Sequence, residues 1–365
     1  MIAVVKVLTC MTWIVRLDPL RPDKDVICRV ADILRGGGLC AFPTETVYGL
    51  GADGYNRDAV VKVFKVKRRP MDNPLIIHVD SVRMFEEVSE NVPETAYKLI
   101  RNVWPGPLTL IVRKSSKVPK EVTAGRSTVA VRCPGHPIAL ELISTLGRPV
   151  AAPSANLAGR PSPTTAEHVI KDLVGLIEVI IDGGETFFGI ESTIVDLTTD
   201  PPTLLRPGPI TVEDLVRILG SDVRVPNFAR GFSEAEVALS PGVKYRHYSP
   251  NTPLILIEAK DYSDLSRLVS TVLRKASEEV SKGLRVAIVC SSETMKYYLS
   301  SGCRLLCIGS RSNLYEVAHN LFSTLRLIDS LGVDIAIVEG FKELGLGLAI
   351  MNRLRKAATY KVIID

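Results

Sequence analysis

The sequence predicts an α/β protein made of two units, and three observations carry that expectation. Residues 254–365 alternate short apolar runs with amphipathic helical stretches, the pattern of a parallel sheet with right-handed crossovers. Residues 1–220 alternate less regularly and end several apolar runs in clusters of hydroxyl, amide and charged groups. Between them, residues 221–253 lose periodicity and hold four prolines, which reads as a linker too long to be idle. A length of 365 residues with 46% hydrophobic content provides core enough for two domains.

In chain order, residues 11–17 read as a complete first strand, and Met11 is the expected biological start on that ground. The apolar stretch before it holds Lys6 and leads to no small-residue cleavage site, so it does not read as a secretory signal. Residues 23–34 form a helix with Val26, Val30, Ile33 and Leu34 on one face, ended by Gly36-Gly37-Gly38. A strand follows to Phe42, then a helix over 57–67 with Val60, Val63 and Phe64 inward. Residues 75–79 are a short buried strand, and helices over 81–88 and 94–103 lead to Trp104-Pro105-Gly106-Pro107, which no helix crosses. Strands are expected over 108–113, 128–133, 150–152, 177–181 and 192–197, with helices over 136–146 and 165–173. In the second unit, strands over 254–257, 286–290, 305–308 and 335–338 alternate with helices over 262–282, 293–299, 314–331 and 348–358, before a last apolar run at 362–364. Gly345 and Gly347 lack the third glycine and the Lys-Ser/Thr ending of a phosphate loop and read as a helix-start turn.

Composition narrows the function classes. The net charge of +5 is modest, yet residues 101–160 carry nine Lys/Arg against two acids, a local excess that suits an anionic ligand better than wholesale nucleic-acid coating. Seven scattered cysteines show no metal-ligand spacing and match a reducing, cytoplasmic compartment. No run of 18 uncharged apolar residues is present, so no membrane span is expected.

Two stretches carry most of the chemistry. Thr44-Glu45-Thr46-Val47-Tyr48-Gly49-Leu50 presents polar side chains where a strand stops, the place where open α/β sheets bind ligands. Lys62, Lys65, Lys67, Arg68 and Arg69 gather at the end of a helix stopped by Pro70, followed by Asn73-Pro74-Leu75 and His78. Such a cluster suits a multiply charged anion such as a phosphate chain, although charge alone fits a solvated helix face equally well. Pro153-Ser154-Ala155-Asn156 combines small residues with hydrogen-bonding groups, as a ligand loop or a plain turn would. Arg206 stands at the lip of a strand, and Lys244-Tyr245-Arg246-His247-Tyr248 forms an aromatic and basic cluster in the linker.

Together, Phe42 to Gly51, Lys67-x-Arg69-Pro70, Asn73-Pro74-Leu75, His78, Pro153 to Asn156, Glu191 to Asp196, Leu205-Arg206-Pro207-Gly208 and the linker run Ser240 to Tyr248 resemble the long, two-domain form of the threonylcarbamoyl-AMP synthases. The resemblance implies a YrdC-like twisted mixed sheet flanked by helices over 1–220, a linker or lid over 221–253, and a smaller Rossmann-like parallel domain over 254–365. It implies a nucleotidyltransferase that makes L-threonylcarbamoyladenylate from L-threonine, bicarbonate and ATP with release of pyrophosphate. A downstream tRNA threonylcarbamoyl transferase complex would consume the product, and the resemblance leaves direct contact with tRNA open. By the same resemblance Thr46, His78, Arg132, Ala152 and Ser192 line a threonine pocket. Lys67, Arg69, Asn73, Thr128, Ser154, Ser162, Arg206 and His247 hold ATP, with Lys67 and Arg69 as the catalytic cations. Magnesium is expected with the triphosphate, without protein ligands of its own. Arg68 departs from the family, which often has glycine there.

Two other classes stay open on the residues. A basic concave surface could bind double-stranded RNA or tRNA without turnover, with salt-dependent affinity as its mark. A carbamoyltransferase is the other, although the zinc-binding and acylphosphatase-like modules of the larger carbamoylating enzymes find no ligands in this sequence.

Overall fold

The structure, a computed structural model, describes residues 11–234, 240, 248–359 and 361–364. An eleven-stranded mixed sheet organises the first part. From one edge its order is Trp13–Arg16, Val179–Asp182, Cys40–Phe42, Gly49–Asp53, Val150–Ala151, Ile76–His78, Thr128–Arg132, Leu108–Lys114, Thr193–Asp196 and Thr203–Arg206, with Ser89–Glu90 pairing Leu108–Lys114 off that line. The second part is a five-stranded sheet in the order Arg304–Gly309, Val286–Ser291, Ile335–Glu339, Leu254–Glu258, Val362–Ile364, and every pairing in it is parallel. The expected fold class, a mixed sheet flanked by helices joined to a smaller parallel α/β unit, is the one found. Among the described residues no helix is long and apolar enough to cross a membrane.

Local sequence explains the elements that place the site. Helix Arg57–Lys67 begins at Asn56, whose side chain accepts from the backbone of Asp58 and Ala59, and it buries Val60, Val63 and Phe64 against the sheet. It ends at Arg68, which adopts the left-handed conformation at φ 54°. Strand Ile76–His78 is buried throughout and pairs in parallel with Thr128–Arg132, so that His78 and Arg132 come side by side at the strands' carboxyl ends.

Several elements differ from the sequence reading. Gly49–Asp53 is a strand, antiparallel to Cys40–Phe42, although its two glycines and lack of β-branched residues hide it. A Cβ at Gly51 would come within 2.8 Å of both the Phe42 ring and Val150, so close packing selects glycine there. Helix Val212–Leu219, closed by a capping box between Thr211 and Asp214, was not expected. The helix expected over 262–282 starts at Ser266, and that over 293–299 is a single 3-10 turn, Met295–Tyr298. The linker range contains a short helix, Asn227–Arg230.

The two parts are fastened by polar contacts. Arg326 donates to Asp172 at 2.8 Å and to the Pro161 carbonyl at 2.6 Å. Helix Gly347–Ala357 sends Asn352 to the Ala229 carbonyl and the wholly buried Arg353 to Glu191.

Candidate active site

One cavity collects loops that are remote in sequence. Its walls come from the turn after Phe42, the end of helix Arg57–Lys67, the ends of the strands carrying His78 and Arg132, the 152–162 loop, Glu191, Arg206 and the linker's Tyr248. Thr46, His78, Arg132, Ala152, Lys67, Arg69, Asn73, Ser154, Ser162 and Arg206, all expected from sequence, line it together.

On one side Arg132 is the centre. Its Nη1 donates to Thr46 Oγ1 at 2.9 Å, its Nε to the Gly106 carbonyl at 3.4 Å, and its Nη2 lies 2.7 Å from Glu45 Oε2 in a buried ion pair. Thr46 is itself held by a 2.9 Å hydrogen bond shared with Thr44, whose hydroxyl caps the turn by accepting from the Thr46 and Val47 amides. A guanidinium has five N–H groups, so both terminal nitrogens retain one for a carboxylate. Burial, and then the Arg132 charge, push the His78 imidazole down to about 3, so the ring is neutral at physiological pH. A neutral imidazole beside Ala152 makes a small pocket with polar edges, suited to a short amino acid.

On the other side the cations are held in place by backbone and amide oxygens. Lys67 is buried and donates to the carbonyls of Ser154 and Asn156, which anchors the 153–156 loop on the helix end. Burial first, and the neighbouring Arg69 second, bring its ammonium well below the ordinary lysine range. Arg69 donates from Nη2 to Asn73 Oδ1 at 2.6 Å and to the Pro74 carbonyl at 2.9 Å, so Asn73 orients the guanidinium. Arg206 donates to the Ser192 carbonyl at 3.0 Å and to Ser192 Oγ at 3.1 Å, and the Ser192 hydroxyl shares a 2.8 Å hydrogen bond with Thr109. Ser162 donates to Glu191 Oε1 at 2.6 Å.

Two expected residues lie elsewhere. Ser192 is fully buried behind the wall, where it props Arg206. Thr128 starts its strand opposite Arg113 and is absent from the cavity's walls. His247 lies outside the described residues, as do residues 241–246 of the linker cluster. Arg68 is exposed and also stands outside the walls. Sequence reading gave no role to Glu45, Glu191 or Arg353, because a buried charge is recognised by its counter-charge, and each ionic partner here is more than eighty residues away in sequence.

Among the described residues no group of three His, Cys, Asp or Glu could hold a metal, and the one carboxylate in the cavity wall, Glu191, is engaged by Ser162 and Arg353. A metal at this site would have to be carried by its ligand's own oxygens.

Comparison with known proteins covers both parts of the chain. Residues 32–208 match the family model described as "Telomere recombination", and residues 210–359 match "Threonylcarbamoyl-AMP synthase, C-terminal domain". The threonylcarbamoyl-AMP synthase of Pyrococcus abyssi is 46% identical over 336 residues, covering 91% of this chain and 94% of that protein. That of Bacillus subtilis is 44% identical over 354 residues, covering 96% and 98%. The crystal structure of P. abyssi Sua5 complexed with L-threonine superposes with a TM-score of 0.90 at 43% identity, covering 97% of this chain and all of that one. With both parts matched in order and nearly the whole length aligned, the chain belongs to the threonylcarbamoyl-AMP synthase family.

Proposed function

We propose that this chain condenses L-threonine, bicarbonate and ATP into L-threonylcarbamoyladenylate, releasing pyrophosphate and water, to supply threonylcarbamoyl transfer to tRNA. The observation that carries the reading is the meeting of Lys67, Arg69 and Arg206 in one cavity with the Arg132, Thr46 and His78 pocket. Bicarbonate and the threonine amine give a carbamate with loss of water. A carbamate oxygen then attacks the α-phosphorus of ATP, and the bond to the β-phosphate oxygen breaks as pyrophosphate leaves. Phosphoryl chemistry of this kind needs alignment and charge neutralisation more than a protein nucleophile.

Each residue has a part in that scheme. Arg132 takes the threonine carboxylate through its two terminal nitrogens, while Thr46 and the neutral His78 border the rest of the amino acid. Lys67 and Arg69 face the triphosphate and offset the charge that builds on the leaving pyrophosphate, and Arg206 and Ser162 complete the nucleotide side. A magnesium ion arriving with ATP would rest on phosphate and water and would join Lys67 and Arg69 in offsetting that charge. Tyr248, buried with its phenol pushed up to about 12 by burial, closes the wall from the linker and keeps water from the adenylate. The expected setting is the cytoplasm, where a tRNA-modifying transferase consumes the product.

The test is pyrophosphate release from ATP with threonine and bicarbonate supplied singly and together. Release that needs both supports the reading. No release, with tight and salt-sensitive RNA binding, favours a passive RNA-binding protein instead.

A further inference from the structure

Among the described residues, the second domain reaches the wall of this cavity through Arg326, which donates to the Pro161 carbonyl beside Ser162, and more deeply through Arg353. Arg353, on helix Gly347–Ala357, is completely buried. Its Nε and Nη2 donate to Glu191 Oε2 at 3.2 and 3.0 Å, its Nη2 also to the Glu191 carbonyl at 3.4 Å, and its Nη1 to the Pro207 carbonyl. One planar fork therefore ties two segments of the first domain. One segment bears Glu191 and Ser192, and the other follows directly on Arg206. A Cβ at Gly208 would stand 2.4 Å from the Thr193 nitrogen and 2.7 Å from the Glu191 carbonyl oxygen, so the two segments are pressed together where Arg353 binds both.

The carboxylate that Arg353 holds is the one that accepts from Ser162, and the backbone it holds carries Ser192, on which Arg206 leans. We infer that Arg353 is a positioning residue of the nucleotide half of the site, acting through Glu191 and Pro207 on Ser162 and Arg206, and touching none of the polar groups of the amino-acid half. The Arg132, Thr46 and Glu45 contacts of the amino-acid half all lie in the first domain, which predicts a split between the two substrates. The inference rests on the assignment of Ser162 and Arg206 to ATP.

The experiment measures ATP and L-threonine dissociation constants by calorimetry on the full chain, alongside KM and kcat for pyrophosphate release. Arg353→Lys keeps a charge against Glu191 but cannot fork to two segments. Its ATP dissociation constant and KM should rise about tenfold, with the threonine constant within twofold and the melting temperature close to that of the unaltered protein. A folded Arg353→Lys with unchanged ATP affinity overturns the inference, and so does a parallel loss for both ligands. Should that variant fail to fold, Arg353→Gln leaves Glu191 in place for Ser162 and Arg206 and carries the same readout. If the unaltered protein binds ATP yet forms no adenylate, the proposed reaction fails while the binding split still decides the role of Arg353.

Discussion

The guanidinium of Arg132 and the carboxylate of Glu45 lie 2.7 Å apart, and both side chains are buried. The cation proposed to receive the substrate carboxylate is thus held ready by a carboxylate of the protein. This fixes its plane before any ligand arrives and lowers the ordering cost of binding.

Arg132→Lys should therefore weaken L-threonine far more than ATP. A point charge still compensates Glu45, but the bidentate contact is gone, at a cost of about 2 kcal/mol or roughly thirtyfold in affinity. Calorimetric titration with each ligand checks this, and an equal loss for both would argue against the assigned sides.

Lys67 predicts proton uptake on nucleotide binding. Its folded value is lowered by burial and by Arg69, so as pH rises through that value the free protein loses a proton that the unfolded chain keeps up to about 10.5. A triphosphate restores the charge, so ATP affinity should fall with rising pH through that range, and binding should take up protons. Titration in two buffers of different ionisation enthalpy measures the uptake. Lys67→Met should abolish it and cost about 2 kcal/mol in ATP binding.

His78 sets part of the acid limb of stability. Its folded value of about 3 lies below the ordinary 6.5, so between those values the unfolded chain binds more protons. Stability is lost as pH falls from 6.5 toward 3, with a slope of at most about 1.4 kcal/mol per pH unit from this group. Urea unfolding of His78→Gln should show a flatter decline over that window. Parallel curves would contradict the neutral ring.

Arg68→Gly should stabilise the first domain. A non-glycine residue at φ 54° is strained by about 1 kcal/mol, and the side chain is exposed and outside the cavity's walls. Denaturant midpoints give the gain, and ATP affinity should stay within twofold.

How much of this was legible follows the range of the forces involved. Helix Arg57–Lys67 and the strands of the second unit are written in local periodicity and bounded by proline, glycine or polar runs, and they are found where periodicity puts them, whereas the helix expected over 293–299 is only a 3-10 turn. Strand Gly49–Asp53 is fixed by packing of its glycines against Phe42 and Val150, which no local pattern records. Arg353 stands in a run, Arg353-Leu354-Arg355-Lys356, that reads as a solvated helix end. Yet all three charges are buried, Arg353 by Glu191 and Arg355 by Glu258, partners 162 and 97 positions away. The cations of the site were visible as residue types, and their convergence was visible once the sheet order was known.

The most direct measurement is the mass of the nucleotide formed from ATP, L-threonine and carbon-13 bicarbonate. The account predicts an adenylate that contains threonine and one labelled carbon, released with one pyrophosphate per molecule. Formation of ADP, or of AMP without label and threonine, would contradict it.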